Sequence, residues 1–136
     1  MRKVTVARYM TRGAQTIGHR EPLATAHRMM NELGVRHLPV LESGQLVGVV
    51  SQRDLHFIET LPGVDRHHVA VEEAMTADVL TISGRTSLRR VARDMAERKA
   101  GSAVVVDAQG RVEGIFTTTD VLKALVDLLA PDRRTA

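Results

Sequence analysis

The octets GVVSQRDL, Gly48 to Leu55, and GIFTTTDV, Gly114 to Val121, lie sixty-six residues apart and follow one pattern: a glycine, apolar residues, a hydroxyl residue, two variable positions, an aspartate and an aliphatic. Working outward, a shift of 65 places Val6 on Val71, Met10 on Met75, Thr11 on Thr76 and Thr16-Ile17 on Thr81-Ile82. The same shift places Leu23 on Leu88, Arg28 on Arg93, Met30 on Met95, Glu32 on Glu97 and Val40 on Val105. One residue inserted near Ala108 lengthens the shift to 66, after which Gly44, Gly48, Ser51 and Asp54 meet Gly110, Gly114, Thr117 and Asp120. A register held for about fifty residues with a single slip marks two tandem copies of one unit. The first motif is read over 1–64 and the second over 65–136.

Both copies carry the same succession of local signals. A short amphipathic segment ending in Met-Thr (Val6 to Thr11; Val71 to Thr76) leads to an extended stretch at Thr16-Ile17 or Leu80 to Ile82. A helix follows, with Pro22 at its first position in copy one and Thr86 as its N-cap in copy two. Its apolar stripe is Leu23, Ala26, Met30 and Leu33 in one copy and Leu88, Val91 and Met95 in the other, at helical spacing. HLPVL and QLVGVVS, then SAVVVD and RVEGIFT, read as strand pairs separated by the turns ESG and AQG. A second helix closes each copy, Leu55 to Thr60 and Val121 to Ala130; Leu61-Pro62-Gly63 ends the first copy and Val64 to Ala70 links the two. The expected fold is α/β (α+β), each copy a small three-stranded sheet with two helices. One such layer is too thin to bury its own apolar face, so the copies are expected to pack about a pseudo-two-fold axis.

Composition narrows the function. With 136 residues, 43% hydrophobic and 26% charged, the chain suits one compact domain and is not a disordered segment. The absence of cysteine removes disulfides, thiolate metal sites and cysteine nucleophiles. No apolar run approaches membrane-spanning length and the start, MRKVTVARYM, lacks a signal peptide's apolar stretch, so a cytoplasmic protein without membrane contact is expected. The net charge of +3 comes from arginines interleaved with acids, and one Tyr, two Phe and no Trp leave few surfaces for base stacking. Nucleic acid is therefore not the expected partner, and a basic pocket for a small anion fits as well. The histidines His19, His27, His37, His56, His67 and His68 show no HExxH spacing, so no metal is expected. No nucleophile stands beside a plausible base and no Walker-type loop is present, so an enzyme is not expected. Met10, Met29, Met30, Met75 and Met95 read as helix residues at core spacing.

Two readings of the octets compete. Ser51 and Thr117, each ending a strand and opening a helix, are N-caps in one, with Asp54 and Asp120 completing capping boxes. In the other, the unpaired N–H groups and dipole of the helix start hold a phosphate, while the aspartate one turn on accepts from a ribose diol. The octet alone favours the caps. Gly48 and Gly114, inside apolar strands, shift the balance towards a site, because glycine there marks the close approach of a ligand or another backbone.

GQLVGVVSQRDL, joined to HLPVL and the Met-Thr segment, resembles the CBS domain, named after cystathionine β-synthase and found in pairs called Bateman modules; the resemblance runs from Val6 to Ala130. Copy two departs from the pattern at Val104, Glu113 and Phe116-Thr117-Thr118-Thr119. The resemblance implies two nucleotide clefts, each taking sugar and phosphate contacts from one copy and base contacts from the other. By position, one cleft would use Ser51, Arg53, Asp54 and Val49, closed by Leu80, Ala100 and Gly101. The other would use Thr117, Thr119, Asp120 and Ile115, closed by Gln15, Val35 and Arg36. It further implies a regulatory module that binds AMP, ADP, ATP or S-adenosylmethionine as ligand, needs no cofactor, pairs as a homodimer and signals to a separate effector protein. A nucleotide-independent dimerisation or scaffold protein, and a nucleic-acid binder, are the competing functions.

Overall fold

The computed structural model describes residues 3–131. After a 3-10 turn at Val6–Arg8, copy one runs through β1 (Thr11–Arg12), β2 (Ile17–Gly18), α1 (Leu23–Leu33), β3 (His37–Glu42), β4 (Gln45–Ser51) and α2 (Gln52–Ile58). Copy two has a 3-10 turn at Val71–Glu73, then β5 (Thr81–Ile82), α3 (Leu88–Arg98), β6 (Ser102–Val106), β7 (Val112–Thr117) and α4 (Thr118–Leu128). The expected duplication is present. Both closing helices begin earlier than the apolar pattern indicates, because Ser51 and Thr117 are themselves the N-caps.

The sheets are not equal. One has three strands, β2-β3-β4, as expected; the other has four, β1-β7-β6-β5. The extra strand belongs to the first Met-Thr segment, which leaves its own copy and pairs antiparallel with β7, Thr11 opposite Ile115 and Arg12 opposite Gly114. Ahead of it Val6 and Met10 are buried with Ile82, Leu88, Val91 and Phe116 of copy two, and the Val6 and Ala7 N–H groups donate to Thr86 and Gly84 carbonyls, both at 3.0 Å. The second Met-Thr segment makes the reciprocal crossing. Val71 is buried in copy one with Leu23, Leu38, Val50 and Leu55, its N–H donates to Glu21 O at 2.8 Å, and Thr76 forms an antiparallel bridge with Val49. Each core is therefore completed by a segment of the other copy, which interlocks the halves.

The crossings also finish the helix starts. Pro22 is the N-cap of α1 rather than its first residue and has no side-chain donor or acceptor to offer. The Leu23 and Ala24 N–H groups are satisfied instead by the linker carbonyls of Val69 and Arg66, both at 2.9 Å. In α3 the cap is Ser87 and not Thr86: its hydroxyl accepts the Arg90 N–H at 3.2 Å, and the Leu88 N–H donates to Val4 O at 2.8 Å. Leu23, Ala26 and Met30, and Leu88, Val91 and Met95, face the cores as their spacing predicts, but Leu33 is exposed. Met10 and Met75 follow the 3-10 turns instead of lying on helices; Met10 is buried and Met75 packs against the first core. The residue inserted near Ala108 falls in the β6–β7 turn, where the Asp107 carboxylate accepts the Gln109 and Arg111 N–H groups, both at 2.9 Å.

Candidate functional site

Strand β4 delivers Ser51 to the start of α2. There the Ser51 hydroxyl accepts the Asp54 N–H at 3.0 Å and the Asp54 carboxylate accepts the Ser51 N–H at 3.0 Å, a closed capping box. The neighbouring Gln52 N–H donates to Arg36 O at 2.8 Å, tying the loop before β3 to the same helix end. Copy two repeats the latch, Thr118 N–H to Gly101 O at 3.1 Å. Its own octet differs in detail: the Asp120 carboxylate accepts the Thr117 N–H at 3.0 Å and the Thr117 hydroxyl at 3.3 Å, and Asp120 is only 6% exposed.

A cavity of about 1160 Å³ opens between the copies at the start of α2. Val49, Ser51, Arg53 and Asp54 line it from copy one, and Leu80, Ala100 and Gly101 from copy two. These are all seven residues assigned to the first cleft, brought together from three stretches of sequence. Of the second set, only Val35 and Arg36 line either of the two cavities described. Val35 and Arg36 line a shallower cleft of about 670 Å³ formed by α1, the start of α2 and the linker residue Arg66, and Arg36 also reaches the larger cavity. Gln15, Ile115, Thr117, Thr119 and Asp120 line neither. The Asp120 carboxylate is folded back on Thr117 and Ile115 is buried opposite Thr11.

The two strand glycines have a different cause from a ligand. A Cβ on Gly48 would stand 2.9 Å from Thr76 O and 2.6 Å from Met75 Sδ, and one on Gly114 would overlap Thr11 O. The close approach is that of the crossing segments' backbone, so the glycines belong to the interlock. They do not argue for a site.

Other cavity residues carried no signal in the octets: His37, Asp78, Arg98 and Lys99 also line it. Arg98 spans its rim by pairing with the Asp78 carboxylate at 3.1 Å. His37 shares the cavity wall with Arg36 and Asp54 and brings Nε2 close to Gly101, where an added Cβ would stand 3.1 Å away. Burial holds the His37 imidazole below its ordinary value; the Asp54 charge opposes this and Arg36 reinforces it. The folded chain therefore takes up a proton here less readily than the unfolded chain. The stability from this group is fully present above the ordinary histidine value of about 6.5 and is lost as pH falls below it. Between about pH 7.5 and about pH 5 the thermal midpoint of the wild type is expected to fall more than that of His37→Gln; parallel curves would show that His37 does not contribute.

Three of the remaining histidines pair with acids: His19 with Glu72 at 2.8 Å, His27 with Glu59 at 2.8 Å and His68 with Asp65 at 2.7 Å. Among the described residues no group of three or more His, Asp or Glu side chains is arranged to hold a metal ion. No helix of the described residues is long and apolar enough to cross a membrane.

Two interlocked α/β motifs enclosing a cleft at their joint define a class, and the comparisons supply its name. The CBS domain model matches residues 6–57 and 71–127, and the chain belongs to the CBS domain family. An uncharacterized protein of Methanocaldococcus jannaschii is 35% identical over 85% of this chain and 45% of its own length. A CBS domain-containing protein of Dictyostelium discoideum is 27% identical over 95% of this chain and 96% of its own. Among solved structures, CBSX2 of Arabidopsis thaliana in complex with AMP superposes with a TM-score of 0.81 at 28% identity, covering 93% of this chain and 99% of that one. The chain spans less than half the length of each of the first curated relatives it matches.

Proposed function

We propose that the cleft between the copies binds an adenine nucleotide, AMP, ADP or ATP, or an adenosyl ligand such as S-adenosylmethionine, and that its occupancy regulates a separate effector protein. The observation that carries this reading is the convergence of Ser51, Arg53 and Asp54 from one copy with Leu80, Ala100 and Gly101 from the other on a single cavity. Its volume is ample for a nucleotide. The helix start at Ser51 favours an anion and Asp54 can accept from a ribose diol. The solved AMP complex of a 28% identical relative supports the same ligand class. No catalytic role is assigned to any of these residues: the cleft binds, and a ligand regulates only as far as it prefers one state of the module.

A homodimer is part of the proposal. Along α4 and its C-cap, Leu122, Leu125, Val126 and Leu129 recur at helical spacing and stay exposed, Val126 at 70% and Leu129 at 73%. An apolar stripe of this kind on an interlocked, fully cored chain is what association with a second copy would cover.

Thermal unfolding with AMP, ADP, ATP, S-adenosylmethionine and a GTP control tests the ligand. At one hundred times its dissociation constant the true ligand stabilises the folded state by about 2.7 kcal/mol, and a midpoint rise of several degrees is expected. Absence of any rise favours the second reading, a nucleotide-independent scaffold. That reading draws on the capping box at Ser51, which is closed without a ligand.

A further inference from the structure

The equivalent helices α1 and α3 differ at their C-terminal ends. α1 ends on Gly34, which adopts φ +66°, the left-handed conformation that glycine takes without penalty. The equivalent residue of copy two, 65 positions on, is Lys99, which holds the same conformation with φ +55°. It is one of only two non-glycine residues with positive φ among those described, the other being Ser43 in the β3–β4 turn. A β-carbon in that region is strained, and such strain is retained where the side chain has a task.

Dipole complementation at the end of α3 does not require Lys99, because Arg98 already places a cation in the last turn. What distinguishes Lys99 is its place on the cavity wall. The cations around that wall are unevenly paired. Arg98 holds Asp78, whereas Arg36, Arg53 and Lys99 make no ion pair among the described residues. Arg53 and Arg36 stand on the copy-one side and Lys99 on the copy-two side; with Asp78 paired to Arg98 and Asp54 as the other acid on the wall, the lining keeps an excess of positive charge drawn from both copies.

We infer that Lys99 is a phosphate-binding residue of this cleft, and that with Arg36 and Arg53 it selects adenine nucleotides bearing a phosphate chain over uncharged adenosine and over the sulfonium cation of S-adenosylmethionine. This rests on the proposed nucleotide reading and specifies which ligands that site takes. The lysine is retained in place of glycine at a cost to the apo protein, an exchange of stability for binding.

Two substitutions with opposite effects on the backbone separate the roles, each followed by calorimetric titration with ATP, adenosine and S-adenosylmethionine and by thermal unfolding without ligand. In Lys99→Gly the apo midpoint is expected to rise by about 3 °C, while ATP affinity falls about tenfold and adenosine affinity is unchanged. In Lys99→Gln the same loss of ATP affinity is expected without the rise in midpoint, and Lys99→Arg is expected to retain ATP affinity. The wild type is expected to bind ATP more tightly than adenosine or S-adenosylmethionine, with an affinity that falls as salt is added. Wild-type binding of ATP that neither Lys99→Gly nor Lys99→Gln weakens overturns the role of Lys99 and leaves the nucleotide site standing. Tighter binding of S-adenosylmethionine than of ATP overturns the selectivity, and failure of the wild type to bind any of the three overturns the parent reading with it.

Discussion

Gly114→Ala is expected to destabilise the protein by about 3 kcal/mol, the upper end of what overpacking by one methyl costs. The added Cβ would overlap the carbonyl oxygen of Thr11, and this obstacle is backbone, so no side chain can rotate out of the way. On one side β1 is paired with β7 at Thr11 and Arg12, and just beyond, the Gly13 N–H donates to Glu113 O at 2.9 Å. To admit the methyl, β1 must leave the sheet, and the burial of Val6 and Met10 in the second core is strained with it. Gly48→Ala meets the equivalent crossing, but its nearest obstacle is the flexible Met75 thioether, with Thr76 O behind it at 2.9 Å. A smaller loss of about 2 kcal/mol is expected there. Urea denaturation of both variants measures the difference. A loss below about 1 kcal/mol at Gly114 would mean that the crossing segment yields freely and does not lock the two halves.

Asp54→Ala is expected to have two separable effects. Its carboxylate closes the capping box with Ser51, so the apo protein should lose about 1 kcal/mol. The same carboxylate lines the cavity, so nucleotide affinity should fall by about 30-fold, the value of a charged hydrogen bond of about 2 kcal/mol. Asp120→Ala serves as the contrast. That residue is buried on its own helix start and lines neither cavity; stability should fall while affinity stays. Denaturation and calorimetric titration of the two variants measure both quantities. Equal effects on affinity at the two positions would contradict the assignment of the ligand to the Ser51 cleft.

The repeat carried much of the fold, because offset 65 aligns helix with helix and hairpin with hairpin. It was blind to the crossing. Val6 to Thr11 and Val71 to Thr76 are near copies, so nothing in their pattern says which sheet each joins; only their positions in the chain and the reach of the linker decide it. The same blindness misled the reading of Gly48 and Gly114, whose absent side chains make room for these segments. The octets alone do not distinguish the two clefts: Asp54 and Asp120 close the same bond to the N-cap N–H, both at 3.0 Å, but Asp54 also lines the larger cavity while Asp120 is buried. Lys99 was legible in principle. Aligned with Gly34, a lysine at the end of an equivalent helix marks a place where copy two gives up the residue best suited to the turn.

Calorimetric titration of the wild-type protein with ATP, with GTP as control, addresses the central claim most directly. Saturable binding of ATP is expected at the Ser51 cleft, where residues from both copies meet. Absence of saturable heat with ATP, repeated with AMP, ADP and S-adenosylmethionine, would contradict it, and SQRD and TTTD would then be helix caps alone.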